Sequence, residues 1–465
     1  MRNLLKYAPF RFGVPMGFCA VGLTAMLLPG ASAAVLCTGW IVALLPLLLI
    51  YKARPWSGIA GGWVVLTASV ALWVGICVNC HYFIGIHPDA DVSRPVLMNF
   101  DAWSAWNNAL VDIGRDDAMF CDWPALGYGH FVGLIVALTG PDISIPIMFN
   151  AFCALATIVL AGSMGAECVD GSRADKQRMA WVTMLFTSAM AYFMVSGTIL
   201  IKDCPVALAI ALSAWAGLQA RKGRLLWPAI ALVPALIMVL YMRPNFVLVL
   251  SAIVALTGFA ASKRGRGATL ALVLPLVIIF FIVQYHEHAE YIGKYARMVG
   301  AFDHQEEGEL VRNADYSQIS RYFLMPFWLR ILLLPVVAGI QFLIPLPFNF
   351  DKYTVFGPCM MLAHFGFCRY ALGGLVMYFE CRQFSRRVPG RLKMLTLSGI
   401  LIYLAIAYCY AGIISRYGIP LIALFTPAAA YCWLNYRHER AFRIWAMVFI
   451  AALAIALTLA YYFTK

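Results

Sequence analysis

Apolar runs of about 18 or more residues recur from one end of the chain to the other, each separated from the next by a short polar stretch. A run of that length crosses the ~30 Å hydrocarbon core as an α-helix. The pattern predicts an all-α polytopic membrane protein, a single transmembrane domain over residues 1–465 with about 13 transmembrane helices. The spans fall near residues 12–30, 33–51, 59–83, 143–163, 179–200, 204–219, 225–241, 245–261, 268–285, 355–379, 394–413, 418–435 and 444–463. The first run has a basic start but no A-x-A-like site ahead of a soluble region, so it reads as a retained helix.

Two long segments interrupt the succession of short connections. The first, residues 85–142, holds a polar stretch followed by an apolar piece, Gly129 to Thr139, too short to span. The second, residues 286–354, holds Phe323 to Ile344, an apolar stretch with Pro326 and Pro335 inside it. A crossing there would put the basic run from Arg382 to Lys393 on the wrong side, so it reads as one or two helices lying at the interface, with Phe323, Phe327 and Trp328 at headgroup level. Long loops in a compact bundle are usually functional.

Composition excludes the main alternatives. With 63% apolar and 12% charged residues and a mean hydropathy of +0.80, the chain is neither a soluble enzyme, a secreted disulfide scaffold nor a disordered protein. The thirteen cysteines scatter through apolar runs without metal-site or redox spacing, and only Cys121 lies clearly in a loop. A net charge of +13 would point to nucleic acid in a soluble protein. Here the cations mark topology: Arg2, Lys6 and Arg11; Lys52 and Arg54; Arg173, Lys176 and Arg178; Arg221, Lys222 and Arg224; Lys263, Arg264 and Arg266; Arg382 to Lys393; Arg437, Arg440 and Arg443 alternate with hydrophobic pairs. The positive-inside rule places these clusters and the N-terminus in the cytoplasm and Lys465 outside, with most acidic residues on the outer side.

Candidate chemistry therefore belongs to the outer face. Asp101 stands among Phe100, Trp103 and Trp106, where partial desolvation suits a general base; as a plain structural residue it would be a solvated loop acid or a helix N-cap. Lys202 and Asp203 occupy a connection so short that both must lie at the outer boundary, where charge is costly unless paired or used. The structural alternative is an ion pair, with Asp203 capping the next helix ahead of Pro205. Arg243 and Arg416 carry positive charge at outer helix ends, against the topology rule; they either snorkel to headgroups or hold an anionic, lipid-linked phosphate in their planar guanidinium forks. Arg369 falls inside a predicted span, with His364 and Glu380 as candidate partners.

The order Phe100-Asp101-Ala102-Trp103, Trp123-Pro124-Ala125-Leu126, Leu138-Thr139-Gly140, Phe149-Asn150-Ala151, Lys202-Asp203-Cys204-Pro205, Arg243-Pro244 and Arg416-Tyr417-Gly418-Ile419-Pro420 resembles the membrane-embedded glycosyltransferases of the GT-C superfamily, which includes protein O-mannosyltransferases and aminoarabinose transferases. The likeness spans about residues 85–430, and Asp-Ala stands where many members have a paired acid. Asp116, Asp117 or Asp122 are thus alternatives to Asp101. The resemblance implies a bacterial inner-membrane enzyme that moves a sugar from a polyprenyl-phosphate donor to a lipid, glycan or protein acceptor, with its active site outward and membrane lipids around it. In that scheme Asp101 is the base, Asp203 a supporting carboxylate, and Lys202, Arg243 and Arg416 meet the donor phosphate. Asp101 and Asp203 offer oxygen ligands suited to Mg²⁺ or Mn²⁺, with no full ligand set visible. The competing classes are a lipid-linked polysaccharide polymerase, which would share these outer charges, and a transporter or flippase, which predicts broken helices at depth.

The topology is testable at the Arg382–Lys393 run. A cysteine placed at Ser385 is expected to resist a membrane-impermeant thiol reagent added outside intact cells, and outside labelling would overturn the layout.

Overall fold

The computed structural model describes residues 8–9, 11–17, 33–80, 100–114, 126–141, 143–259, 262–282, 326–343, 367–382, 388–409 and 415–464. Their elements are helices, with no strand among the described residues: α1 (Ala33–Cys80), α2 (Phe100–Asp112), α3 (Leu126–Thr139), α4 (Ser144–Cys168), α5 (Arg173–Ser188), α6 (Ala191–Ser196), α7 (Asp203–Ala220), α8 (Leu226–Met242), α9 (Phe246–Gly258), α10 (Lys263–Ile282), α11 (Phe327–Leu343), α12 (Phe367–Arg382), α13 (Gly390–Cys409), a 3₁₀ segment (Ser415–Leu421), α14 (Ile422–Tyr436) and α15 (Arg440–Thr464).

Five stretches among the described residues are long and apolar enough to cross a membrane: Pro55–Ile76, Ile145–Cys168, Asp203–Ala220, Lys263–Ile282 and Gly418–Tyr436. Gly127–Thr139, Leu226–Met242 and Phe246–Gly258 are apolar but shorter. The structure therefore gives the all-helical class and the positions of several spans, and leaves the number near 13 unestablished. Exposed apolar residues on α8 recur at Leu226, Ile230, Val233, Ile237 and Tyr241, and on α10 at Leu270, Leu274, Ile278 and Phe281. Stripes of that kind would be a liability in water and suit a hydrocarbon surround.

The centre of the bundle is α7. Most of its residues are buried, and it packs against α4, α8, α9, α14 and the 3₁₀ segment. Its partners approach closely because small residues lie at the crossings. A Cβ on Gly217 would overlap Thr257 Oγ1 and sit 3.0 Å from the Val254 carbonyl oxygen, and one on Gly258 would meet Thr269 Oγ1 at 2.7 Å. Without water to drive helices together, such contacts and dispersion carry association. Buried hydroxyls stay satisfied by turning back on their own helix: Thr157, Thr183, Ser213 and Thr257 each donate to the carbonyl four residues earlier.

Two predicted boundaries change. The break expected between spans 33–51 and 59–83 is a kink within α1, whose one non-helical residue is Gly58 at φ 64°, ψ −161°, a conformation that glycine alone adopts readily. The single span expected over 179–200 is broken instead. Thr187 donates to the Thr183 carbonyl at 2.8 Å and Ser188 to Leu185 at 3.0 Å, bonds that bend helices, and Met190 is extended at φ −73°, ψ 93°. The one-and-a-half-turn α6 follows, then a non-helical buried stretch through Lys202. The interfacial element expected over Phe323–Ile344 is, among the described residues, one helix, α11, that continues through Pro335 and packs on α13, α12 and the 3₁₀ segment. The rest of the second long loop lies outside the described residues, as does Cys121; Cys153, Cys168, Cys204 and Cys432 are free and buried.

At the end of the bundle away from Lys202, polar groups tie α4, α7 and α13 together. Glu167 accepts from Gln219 Nε2 and pairs with Lys222 at 3.0 Å, while Arg391 donates to the Glu167 carbonyl at 3.0 Å and lies 3.4 Å from Asp170. Nearby, α5 opens on a capping box in which Ser172 and Asp175 exchange hydrogen bonds, and these bonds hold the Asp175 carboxyl below its usual range.

Crossing geometry gives a direct stability test. Gly217→Ala is expected to lower stability by about 1–3 kcal/mol through overpacking against α9, whereas Gly267→Ala, in open space on α10, should leave it unchanged or raise it by up to ~1 kcal/mol. Thermal unfolding of both variants in detergent reads the difference.

Candidate functional site

Two turns come together, the first buried throughout and the second with its arginine buried and the next two residues partly exposed. One is the stretch from Gly197 to Lys202 that leads into α7; the other is Arg243-Pro244-Asn245 between α8 and α9. The second exists because Pro244 supplies no N–H and cannot continue α8, while α8 and α9, at 17 and 13 residues, are too short to carry the turn out of the bundle.

The first turn is fixed by one side chain. Asn150, fully buried on α4, donates from Nδ2 to the carbonyls of Ile199 and Ile201, both at 2.8 Å, and Tyr128 on α3 donates to its Oδ1 at 3.3 Å. Those carbonyls belong to backbone that has left the helix, so in an apolar surround they need an internal donor. The turn so held presents Lys202, 8% exposed, and Asp203, 0% exposed. Asp203 does not cap α7 as its sequence context predicts. Lys202 is the N-cap residue, without a side-chain cap bond, and Asp203 is the first helical residue, where its charge still complements the helix dipole.

Arg243 closes the arrangement. Its guanidinium nitrogen lies 3.7 Å from Asp203 Oδ1 and its carbon 5.2 Å above the Phe246 ring, with 8% of the side chain exposed. A buried pair of this kind is kept by geometry rather than by water, and removal of either partner takes an opposite charge from beside the other. The 3₁₀ segment that carries Arg416 packs on α7, the helix that Asp203 opens; the Arg416 side chain lies outside the described residues. Three of the predicted charges, Lys202, Asp203 and Arg243, are thus brought together.

Asp101 arrives through α2. A Cβ on Gly129 would meet Asn108 Cβ at 2.8 Å and the Ala105 carbonyl at 3.4 Å, and one on Gly133 would meet Asp112 Oδ2 at 2.8 Å, so α2 and α3 run side by side in the same direction. Since Gly127 at the start of α3 abuts the Tyr241 carbonyl near the end of α8, the first turn of α2, with Asp101, lies toward the Arg243 end. The Asp101 side chain lies outside the described residues, as do Asp116, Asp117 and Asp122 and the side chain of Arg369. Asp101 stands in a helix rather than the open loop expected for it.

Sequence reasoning passed over four polar residues here: Ser104, Asn107 and Asn108, all buried on α2, and Asn150 as the clamp. The signal was a lone asparagine within the apolar run Met148 to Phe152, and polar residues at i, i+3 and i+4 facing a glycine-bearing helix. Asp112 and His130, 2.6 Å apart, join α2 to α3 at its exposed side. Of the two carboxylates offered to a divalent ion, Asp203 faces the Arg243 guanidinium, and the side chain of Asp101 lies outside the described residues. Among the described residues no group of three or more His, Cys, Asp and Glu side chains forms a metal-ligating cluster.

The clamp can be tested apart from any activity. Asn150→Leu leaves the Ile201 carbonyl without its side-chain donor and the Ile199 carbonyl with only the Ile201 N–H, and is expected to lower stability by about 1–3 kcal/mol in thermal unfolding, whereas Tyr128→Phe, which removes the longer contacts of its hydroxyl with Asn150, should cost about 1 kcal/mol or less.

Comparison of the chain with protein-family models, with curated proteins and with solved structures finds no match.

Proposed function

We propose that the chain is a membrane glycosyltransferase that moves a sugar from a polyprenyl-phosphate-linked donor to an acceptor at the face of the membrane where Lys202 and Arg243 lie. The observation that carries this reading is the convergence of Lys202, Asp203 and Arg243 in buried turns, with the Arg416 segment packed on the same helix. Among the described side chains the turns bring together two cations and one carboxylate. An anion that brings its own apolar tail is the ligand such a place accepts at least desolvation cost, and a lipid phosphate is one.

In this scheme the donor phosphate is met by Lys202, Arg243 and Arg416. Asp101 takes the proton of the acceptor hydroxyl as its oxygen attacks the anomeric carbon, and the bond from that carbon to the phosphate oxygen breaks. Negative charge grows on the departing phosphate, where fixed cations in a low-dielectric surround stabilise it without reorganising. Asp203 holds Arg243, through the 3.7 Å pair, and neighbours Lys202.

A transporter or flippase is the second reading, and one observation favours it: the break at Ala189–Met190 and the buried irregular backbone up to Lys202 are the broken helices that such proteins use to bind substrate. A transporter would move a lipid-linked or free anion past the same cations without cleaving it.

Transfer assayed in liposomes from a polyprenyl-phosphate sugar separates these readings. Asp101→Asn is expected to abolish turnover while donor binding stays measurable; wild-type turnover would remove Asp101 from the mechanism. Arg243→Lys keeps the charge facing Asp203 but loses the fork, so donor binding should weaken about tenfold with folding intact, and Arg416→Ala should weaken it further. Unchanged donor binding in both, or flux of intact donor without sugar transfer, would overturn the transferase.

A further inference from the structure

At the opposite end of the bundle from Asp203, two turns lie against each other: the α7–α8 turn, with Arg221, Lys222 and Arg224, and the start of α10, with Lys263, Arg264 and Arg266. The side chain of Arg264 lies across the first turn. A Cβ on Gly223, itself at φ 76°, would come within 2.8 Å of Arg264 Cγ and 2.9 Å of its Nε. Arg264 is therefore laid between Lys222 and Arg224, two residues of like charge.

Only part of this charge is balanced among the described residues. Lys222 pairs with Glu167 at 3.0 Å, and Arg224 donates to Gln219 Oε1 at 3.1 Å, which is a neutral acceptor. Among the described residues no carboxylate pairs with Lys263, Arg264 or Arg266, all three exposed. They also stand in the first turn of a helix, where the backbone dipole disfavours positive charge and favours an anion. The contrast with α5 is direct: it too begins with an arginine, but its first turn carries Asp175.

Depth identifies the anion. Immediately beside the cations are large, outward-facing apolar side chains: Leu226 at 68%, Trp227 at 67% and Phe259 at 65% exposure. An exposed tryptophan at the end of an apolar helix marks headgroup level, so the guanidinium groups lie in the layer of lipid phosphates rather than in bulk solvent.

We infer that Arg224 and Arg264, with Lys263 and Arg266 around them, form a site for the phosphodiester headgroup of an anionic phospholipid, whose chains run down along Trp227 and α10. The site is separate from the Lys202–Arg243 region and does not depend on what that region does. Arg264 spans the two turns, so a bound headgroup fastens α7–α8 to α9–α10.

The test uses the full chain in nanodiscs of phosphatidylcholine alone and with phosphatidylglycerol added, with bound lipid counted by native mass spectrometry and unfolding followed by heating. Phosphatidylglycerol is expected to raise the unfolding temperature and to be retained as a discrete bound lipid. The Arg224→Gln, Arg264→Gln double variant should unfold as the wild type does in phosphatidylcholine, yet bind phosphatidylglycerol about thirtyfold more weakly, each cation near the surface contributing about fivefold. The Arg440→Gln, Arg443→Gln variant, at the start of α15, should keep the wild-type response. An equal loss in that control, or no preference of the wild type for phosphatidylglycerol, would overturn the site. Glycerol phosphate in solution that reproduces the stabilisation would overturn the lipid as its source. Should the double variant fail to fold, the single Arg264→Gln change decides: undiminished retention of phosphatidylglycerol overturns the assignment.

Discussion

Polar groups inside this bundle have to be met by the protein itself, and the structure depends on how that is done at one place, the buried non-helical stretch before α7. Backbone that leaves a helix within an apolar surround exposes carbonyls and amides with no water to receive them. Asn150 answers for the carbonyls of Ile199 and Ile201, and the turn it fixes delivers Lys202 and Asp203 into the interior. The fully buried Asp203 then requires a cation, and Arg243 is brought to 3.7 Å by a second turn that Pro244 forces at the end of α8. Each feature explains the next: clamp, turn, carboxylate, counter-charge.

The same constraint orders the rest of the bundle. Hydroxyls on α4, α5, α7 and α9 return to their own helices, crossings close on glycines, and wide apolar stripes on α8 and α10 remain outside. The two ends are handled differently. At one end charge is drawn inside and paired, which suits a recessed site for a tailed anion. At the other, Glu167 ties α4 to α7 and α13, while the remaining cations stay outward among tryptophan and leucine side chains at headgroup level. On the proposed function and the inferred lipid site, one lipid phosphate would be held for chemistry and another for anchorage.

The broken α5–α6 segment bears on both functional readings. Bent by Thr187 and Ser188 and redirected at Met190, it makes room for a recessed turn that a straight 22-residue span over 179–200 would have carried to the surface. A transferase uses such a recess to desolvate the leaving phosphate; a transporter uses it as a waypoint. The chemistry of Asp101 is what separates them, because only the transferase needs a base.

The sequence alone determined the class of the protein and the location of several helices. Length and periodicity of apolar runs do not depend on partners, so Ile145–Cys168, Asp203–Ala220, Lys263–Ile282 and Gly418–Tyr436 lie close to where hydropathy put them. It also marked Lys202, Asp203 and Arg243, since charge at a helix end against the topology rule is legible one residue at a time. What it could not determine was the depth of those charges and which met which. The kink at Gly58, the break at Met190, the start of α7 at Asp203 with Lys202 rather than Asp203 at its N-cap position, and Asn150 as the clamp were decided by tertiary structure. Each follows from a demand made by distant segments: a buried carbonyl, a carboxylate without water, a neighbouring helix close enough to bend against. Such demands exist only when residues about 50 positions apart, such as Asn150 and Ile201, are held within hydrogen-bonding distance.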